Sequence, residues 1–104
     1  KALASTGARR PAVAPDLPTM IESGLPDFET AIWFGLMAPA GTPRAIIERL
    51  SRVLNEAMAS EEVKAGFKAQ GFDLIGGGPK NFAQYLDKEM AKWAAAAKAA
   101  GLRN

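Results

Sequence analysis

The 104-residue sequence contains neither cysteine nor histidine. Without cysteine there is no disulfide and no thiolate metal site. Without histidine the commonest general base and the commonest metal ligand are missing. Ser-His-Asp, Cys-His and zinc-hydrolase chemistry are therefore excluded within these residues, and no metal site or cofactor is expected. No apolar run approaches the roughly 20 residues that a membrane helix requires. A surplus of one charge sign is also lacking: 13 Lys and Arg face 11 Asp and Glu, a net +2, so nothing demands a polyanionic partner. What is abundant is apolar mass, 48% of residues against 23% charged, which points to a globular chain rather than a disordered one.

The chain opens Lys1-Ala-Leu-Ala-Ser-Thr6, which reads as a short buried strand met partway along. Such an opening predicts a fragment or a processed chain. Gly7 to Pro18 is a loop, because Pro11, Pro15 and Pro18 each remove a backbone donor. Thr19 to Ser23 is one helical turn, stopped at Gly24. Thr30 to Ala38 (TAIWFGLMA) is apolar with almost no alternation. A run of that length and pattern predicts a strand buried on both faces, with sheet neighbours on each side. The rest of the sequence offers few strands to flank it.

Three helices are expected after that run. Thr42 as N-cap and Pro43 at the first position open a helix over about 43–59. Ile46, Ile47, Leu50, Val53, Leu54, Ala57 and Met58 form its apolar stripe, and Glu48 is spaced to pair with Arg52. Ser60 caps a second helix with Glu61 and Glu62 in its first turn, ended by Gly71. Phe72 to Ile75 is a short strand. Pro79 then starts a long helix with a buried stripe of Phe82, Leu86, Met90, Trp93 and Ala97, Tyr85 alongside and Gly101 as its C-terminal stop.

No catalytic set emerges from these residues. Gly76-Gly-Gly-Pro79 resembles a phosphate cradle but lacks both nucleotide-binding spacings, so a strand-to-helix turn accounts for it. Arg9 and Arg10 have the chemistry to hold a carboxylate, although adjacent arginines beside a proline loop are ordinarily solvated. Asp87 and Glu89, two apart on a helix, point to different faces and make a poor acid/base pair. Asp16 lies in a loop stiffened by Pro15 and Pro18; it either caps the turn that follows or faces a ligand. Trp33 and Phe34 either pack in the core or stack on a ligand, and Phe82 and Trp93 are expected in the core. The basic residues are dispersed among acids, without interleaved aromatics on one face, so nucleic acid is not an expected partner. From the residues alone the fold class is α/β.

Several stretches taken in order carry a resemblance. They are Ala2-Leu-Ala-Ser-Thr-Gly-Ala-Arg-Arg10, Pro15-Asp-Leu-Pro-Thr-Met-Ile-Glu-Ser-Gly-Leu-Pro26, Trp33-Phe-Gly-Leu-Met-Ala-Pro-Ala-Gly-Thr-Pro43, Ala69-Gln-Gly-Phe72 and Gly76-Gly-Gly-Pro79. Together they resemble the C-terminal portion of the Bug/TctC family, the extracytoplasmic solute receptors of tripartite tricarboxylate transporters. The resemblance implies a partial type II periplasmic-binding-protein fold, helix-rich with few strands. It also implies a non-enzymatic, periplasmic role in which two lobes close on a small carboxylate or amino-acid-like ligand and present it to membrane transporter subunits. Residues 1–29 would end the second lobe. Residues 30–104 would cross the hinge and supply the C-terminal helices of the first lobe. The missing N-terminal part of the receptor would be the partner that flanks Thr30–Ala38. Asp16, Thr19 and Phe34 are the ligand-binding residues implied by this likeness and by position. Gly78 stands where the family commonly has a capping threonine, a small loss at that helix start. The alternative is a stand-alone helical module that self-associates, or swaps, through an exposed apolar strand.

Overall fold

In the computed structural model, which describes residues 1–102, three helices carry the regular structure: α1 (Arg44–Ala59), α2 (Glu61–Ala69) and α3 (Pro79–Ala99). All three lie where apolar periodicity and end signals place them. α2 starts at Ser60, whose hydroxyl accepts from Val63 N–H. It ends where Gly71, at φ 78°, lets Phe72 N–H return to the Phe67 carbonyl at 3.0 Å and Gly71 N–H to Lys68 at 3.0 Å. The Phe67 and Phe72 rings meet edge-on across this stop, 6.3 Å apart. The turn after Thr19 ends the same way: Gly24 is at φ 99°, and Leu25 N–H reaches the Met20 carbonyl.

Local details of α1 differ from expectation. Its N-cap is Pro43, not Thr42; the Thr42 hydroxyl instead donates to the Pro39 carbonyl at 2.7 Å and closes the preceding turn. Glu48 pairs with Arg44, not Arg52. Both arginines are one turn away, and exposed pairs differ too little in energy for spacing to choose between them.

The expected strands are absent. Lys1–Thr6 makes one isolated parallel bridge, Ser5 to Thr19, in which Ser5 N–H donates to Pro18 and Met20 N–H donates to Ser5, each at 2.8 Å. Thr30 N–H then donates to the Thr6 carbonyl at 2.8 Å, which ties the start of the apolar run to the N-terminal segment. Beyond that bond Thr30–Ala38 has no ladder, and Phe72–Ile75 has none either. The physical reason is lateral: a strand exists only by pairing, and the described residues supply no neighbour for these runs.

The same lack shows in burial. Ile32 and Phe34 are 85% and 78% exposed, and Leu36 and Met37 are exposed as well, so the run is not covered on both faces. Trp93 and Met90 of α3 are exposed rather than core; Phe82 and Leu86 are half-buried. α1 turns Ile47, Ser51, Asn55 and Met58 towards the rest of the chain and leaves Ile46, Leu50 and Val53 open. No hydrophobic residue among those described is fully buried. The shape agrees: the Cα radius of gyration is 16.7 Å, against about 13 Å for a compact domain of this length. The accessible surface of 8762 Å² exceeds by roughly 3,000 Å² what a folded monomer of this mass presents.

Candidate functional site

Thr19 anchors the N-terminal segment. It is 2% exposed, and it forms a reciprocal cap with Glu22. Glu22 N–H donates to Thr19 Oγ1 at 3.1 Å, and Thr19 N–H donates to Glu22 Oε2 at 2.8 Å. This is the capping-box arrangement, two orphan amides satisfied at once, which the T-x-x-E spacing allows. Arg10 locks it from the loop side: its Nε donates to both Glu22 oxygens at 3.1 and 3.0 Å, and a terminal nitrogen reaches the Pro15 carbonyl at 3.2 Å. The Arg10 hydrogen bond, followed by the Thr19 amide, holds the Glu22 carboxyl below its ordinary range. The same pair raises the already high Arg10 value, with Asp16 adding a smaller push.

Arg10, although exposed, is paired with Glu22 and Pro15, whereas Arg9 makes no such bond among the described residues. Asp16 does not cap the turn; Thr19 does. The Asp16 carboxylate sits exposed on a loop whose backbone is held by Arg10. Phe34 lies elsewhere, its ring edge-on to Phe72 at 5.4 Å and 77°. Asp16 and Thr19 therefore share one small rigid loop. No hydrogen bond or ring contact among the described residues joins Phe34 to it.

A second polar centre escaped sequence reasoning. Glu89 is 8% exposed and lies on the apolar face of α3 among Phe82, Tyr85, Leu86 and Trp93. Its carboxylate accepts from Lys92 Nζ on one oxygen and from Trp93 Nε1 at 3.0 Å on the other. Lys92, with help from the two indoles, holds the carboxyl below its ordinary range despite burial. Burial, and then the Glu89 charge, raise the Tyr85 hydroxyl. The signal was present: Glu89 follows Phe82 by seven and Tyr85 by four, and precedes Trp93 by four, so it shares their stripe.

No trio of carboxylates that could hold a metal occurs among the described residues. A shallow depression of about 390 Å³ beside Asn55, Met58, Lys64 and Leu74 is open and mostly apolar. No helix among the described residues is long and apolar enough to cross a membrane.

Comparison with known proteins adds the context. The family model described as "Tripartite tricarboxylate transporter family receptor" matches residues 1–102. BugT of Bordetella pertussis is 36% identical over 103 residues, which is 99% of this chain and 32% of that protein. A UPF0065 protein encoded in the tcbD-tcbE intergenic region of Pseudomonas sp. (strain P51) is 38% identical over 94 residues, 89% of this chain and 28% of that protein. A solved structure, R. palustris Rpa4515 with adipate, superposes with a TM-score of 0.78 and 35% identity over 95% of this chain and 33% of the other. The chain thus spans about a third of the length of these relatives. With a match from end to end of its described residues and a ligand-bound relative of the same architecture, the chain belongs to the tripartite tricarboxylate transporter receptor family, TctC.

Proposed function

We propose that the chain is the C-terminal portion of an extracytoplasmic solute receptor that binds a small carboxylate and delivers it to the membrane subunits of a tripartite tricarboxylate transporter. The observation that carries this reading is the superposition, at 35% identity, on Rpa4515 solved with adipate. In this reading the whole receptor has the type II periplasmic-binding fold and works in the periplasm. Residues 1–29 finish its second lobe, and 30–104 cross the hinge and clothe the first. Binding is hinge closure on the ligand, with no bond made or broken. The open faces of Ile32–Met37 and α1 are those that the rest of the receptor covers.

Of Asp16, Thr19 and Phe34, Asp16 and Phe34 are the wall of the cleft that this chain contributes, and the buried Thr19 stands behind it as the cap that holds the Asp16 loop. The Arg10–Glu22–Thr19 unit holds the Asp16 loop rigid, so its backbone meets a ligand without ordering cost. The Asp16 carboxylate itself would accept from a hydroxyl or ammonium group of the ligand, while cations for a ligand carboxylate come from other segments.

Calorimetry with adipate and a panel of small dicarboxylates tests the reading. The 104 residues alone are expected to bind little, and the receptor extended on its N-terminal side is expected to bind. Failure of the extended receptor to bind any small carboxylate overturns the receptor assignment. Clear micromolar binding by the 104 residues overturns the division of labour. A second reading, self-association through Ile32–Met37, is favoured by the exposure of that run. Light scattering on the extended receptor decides it: a monomer with the run covered leaves no role for pairing.

A further inference from the structure

The Glu89 centre is not used by any step above, yet it is the most buried charge among the described residues. Its contacts lead to one place. Lys92 Nζ, held by Glu89, also donates to the Glu29 carbonyl at 3.3 Å. Four residues on, the Trp33 ring stands edge-on to both Phe82 at 5.7 Å and Tyr85 at 5.6 Å. Gly35 then lies so close to Phe82 that a Cβ there would fall 2.3 Å from the ring. One polar bond, one aromatic wedge and one steric contact thus fix Glu29–Gly35 along α3.

We propose that Glu89 is a positioning residue: through Lys92 it clamps the crossing segment Glu29–Gly35 onto α3 and makes that end of the hinge rigid. This rests on the receptor reading for the word hinge; the clamp itself stands without it. Thr30 N–H, inside the clamped segment, donates to the Thr6 carbonyl at 2.8 Å, so the clamp also bears on how the N-terminal segment sits against the helices. Glu89 also explains its own burial. Lys92 satisfies one oxygen and the Trp93 indole the other, so a carboxylate on an apolar face is kept without an orphan lone pair.

The test uses the receptor extended on its N-terminal side, with any tryptophan or cysteine outside the 104 residues replaced by phenylalanine or serine; the 104 residues hold two tryptophans and no cysteine, so probes are placed singly. Each variant is measured beside its Trp33→Phe counterpart, in which Trp93 is the emitter kept from these residues, and the difference in iodide quenching reports the wedge without touching the Glu89 partners. Spin labels at Ala8→Cys and Glu56→Cys, both exposed, report how residues 1–29 sit relative to the helices. Glu89→Gln is expected to raise quenching of Trp33 about twofold, as a locally opened segment gains solvent, and to broaden the label distance distribution while helicity by circular dichroism is kept. Lys92→Met should do the same and Lys92→Arg should restore the parent behaviour, a rescue that mere packing does not predict. Retained helicity with unchanged quenching and distance width overturns the proposal. If Glu89→Gln loses helicity, the half-exposed Lys92 variants decide alone. Because no ligand is used, failure here leaves the receptor reading intact, and failure of calorimetry leaves the clamp intact.

Discussion

Replacing Gly35 by alanine separates two effects of opposite sign. Gly35 does not adopt positive φ, so its backbone conformation is open to any residue. Where space is free, such a change stabilises by about 0.4–1 kcal/mol, because the unfolded chain loses freedom. At Gly35 space is not free: the new Cβ would meet Phe82 Cζ at 2.3 Å, Cε2 at 2.9 Å and Cε1 at 3.0 Å. Ordinary carbon contact lies near 3.5–4.0 Å, so ring and segment must part by about 1.5 Å. Phe82 cannot yield cheaply, since Trp33 stands against it edge-on. Overpacking of this kind costs about 1–3 kcal/mol, which outweighs the gain and leaves Gly35→Ala destabilised by roughly 1–2 kcal/mol. Gly66, inside α2 with nothing within 4 Å, is the control. Gly66→Ala should stabilise by about 0.5–1 kcal/mol. Urea unfolding of the receptor extended on its N-terminal side, followed by circular dichroism at 222 nm, reads both. The double variant Gly35→Ala with Phe82→Leu should recover part of the loss, a coupling of about 0.5–3 kcal/mol between touching residues. A Gly35→Ala chain as stable as Gly66→Ala would refute the packing of Glu29–Gly35 on α3.

Thr19→Ala removes the reciprocal cap and should lower stability by about 1 kcal/mol, read as a fall in urea midpoint with unchanged slope. Glu22 and Glu89 both titrate below their ordinary value of 4.5 in the folded chain. Their contribution is therefore complete above that value and drains away as pH falls from it through their lowered folded values. A urea midpoint that drops over this acid range, with a shallower drop in Glu22→Gln, is the expected result; a flat profile contradicts the two ion pairs. The open apolar run should make the 104 residues bind a hydrophobic dye and gain mass with concentration in sedimentation. Ile32→Glu with Leu36→Lys should weaken both, the open stripe of α1 accounting for what remains, and a dye-silent parent chain would mean the run is covered.

The helices were readable because their determinants are near in sequence. Ser60 with Glu61 and Glu62, Pro79 behind three glycines, and glycine at positions 71 and 101 each act within one turn. The strands were misread for the complementary reason. Thr30–Ala38 has the composition of an interior strand, but composition only prepares a segment to pair; it does not supply the neighbour. Thr19 was read as the start of a helical turn, yet its partner Glu22 and the Arg10 clamp were not foreseen. The T-x-x-E spacing was visible; that Arg10 folds back across twelve residues was not. Glu89 was weighed only as an acid/base partner of Asp87, because the apolar stripe was written without it, and its partner Trp93 was placed in the core.

The distribution of exposed residues argues for what the whole receptor must supply. α1 presents Ile46, Leu50 and Val53 outward while its covered side includes Ser51 and Asn55. Asn55 has its own duty there: its amide donates to the Ser51 and Gly77 carbonyls, and its oxygen accepts from Gly77 N–H at 3.0 Å, closing the glycine turn against the helix. A helix that spends its inner face on such a polar tie and leaves its greasiest stripe outside is sandwiched, not terminal, in its fold. Thr30–Ala38 is open in the same sense, and the excess of roughly 3,000 Å² is of the order buried by a permanent interface rather than a passing one. A surface of that size and apolar character fits a further layer packed against α1 and beside residues 30–38, as the proposed receptor reading requires.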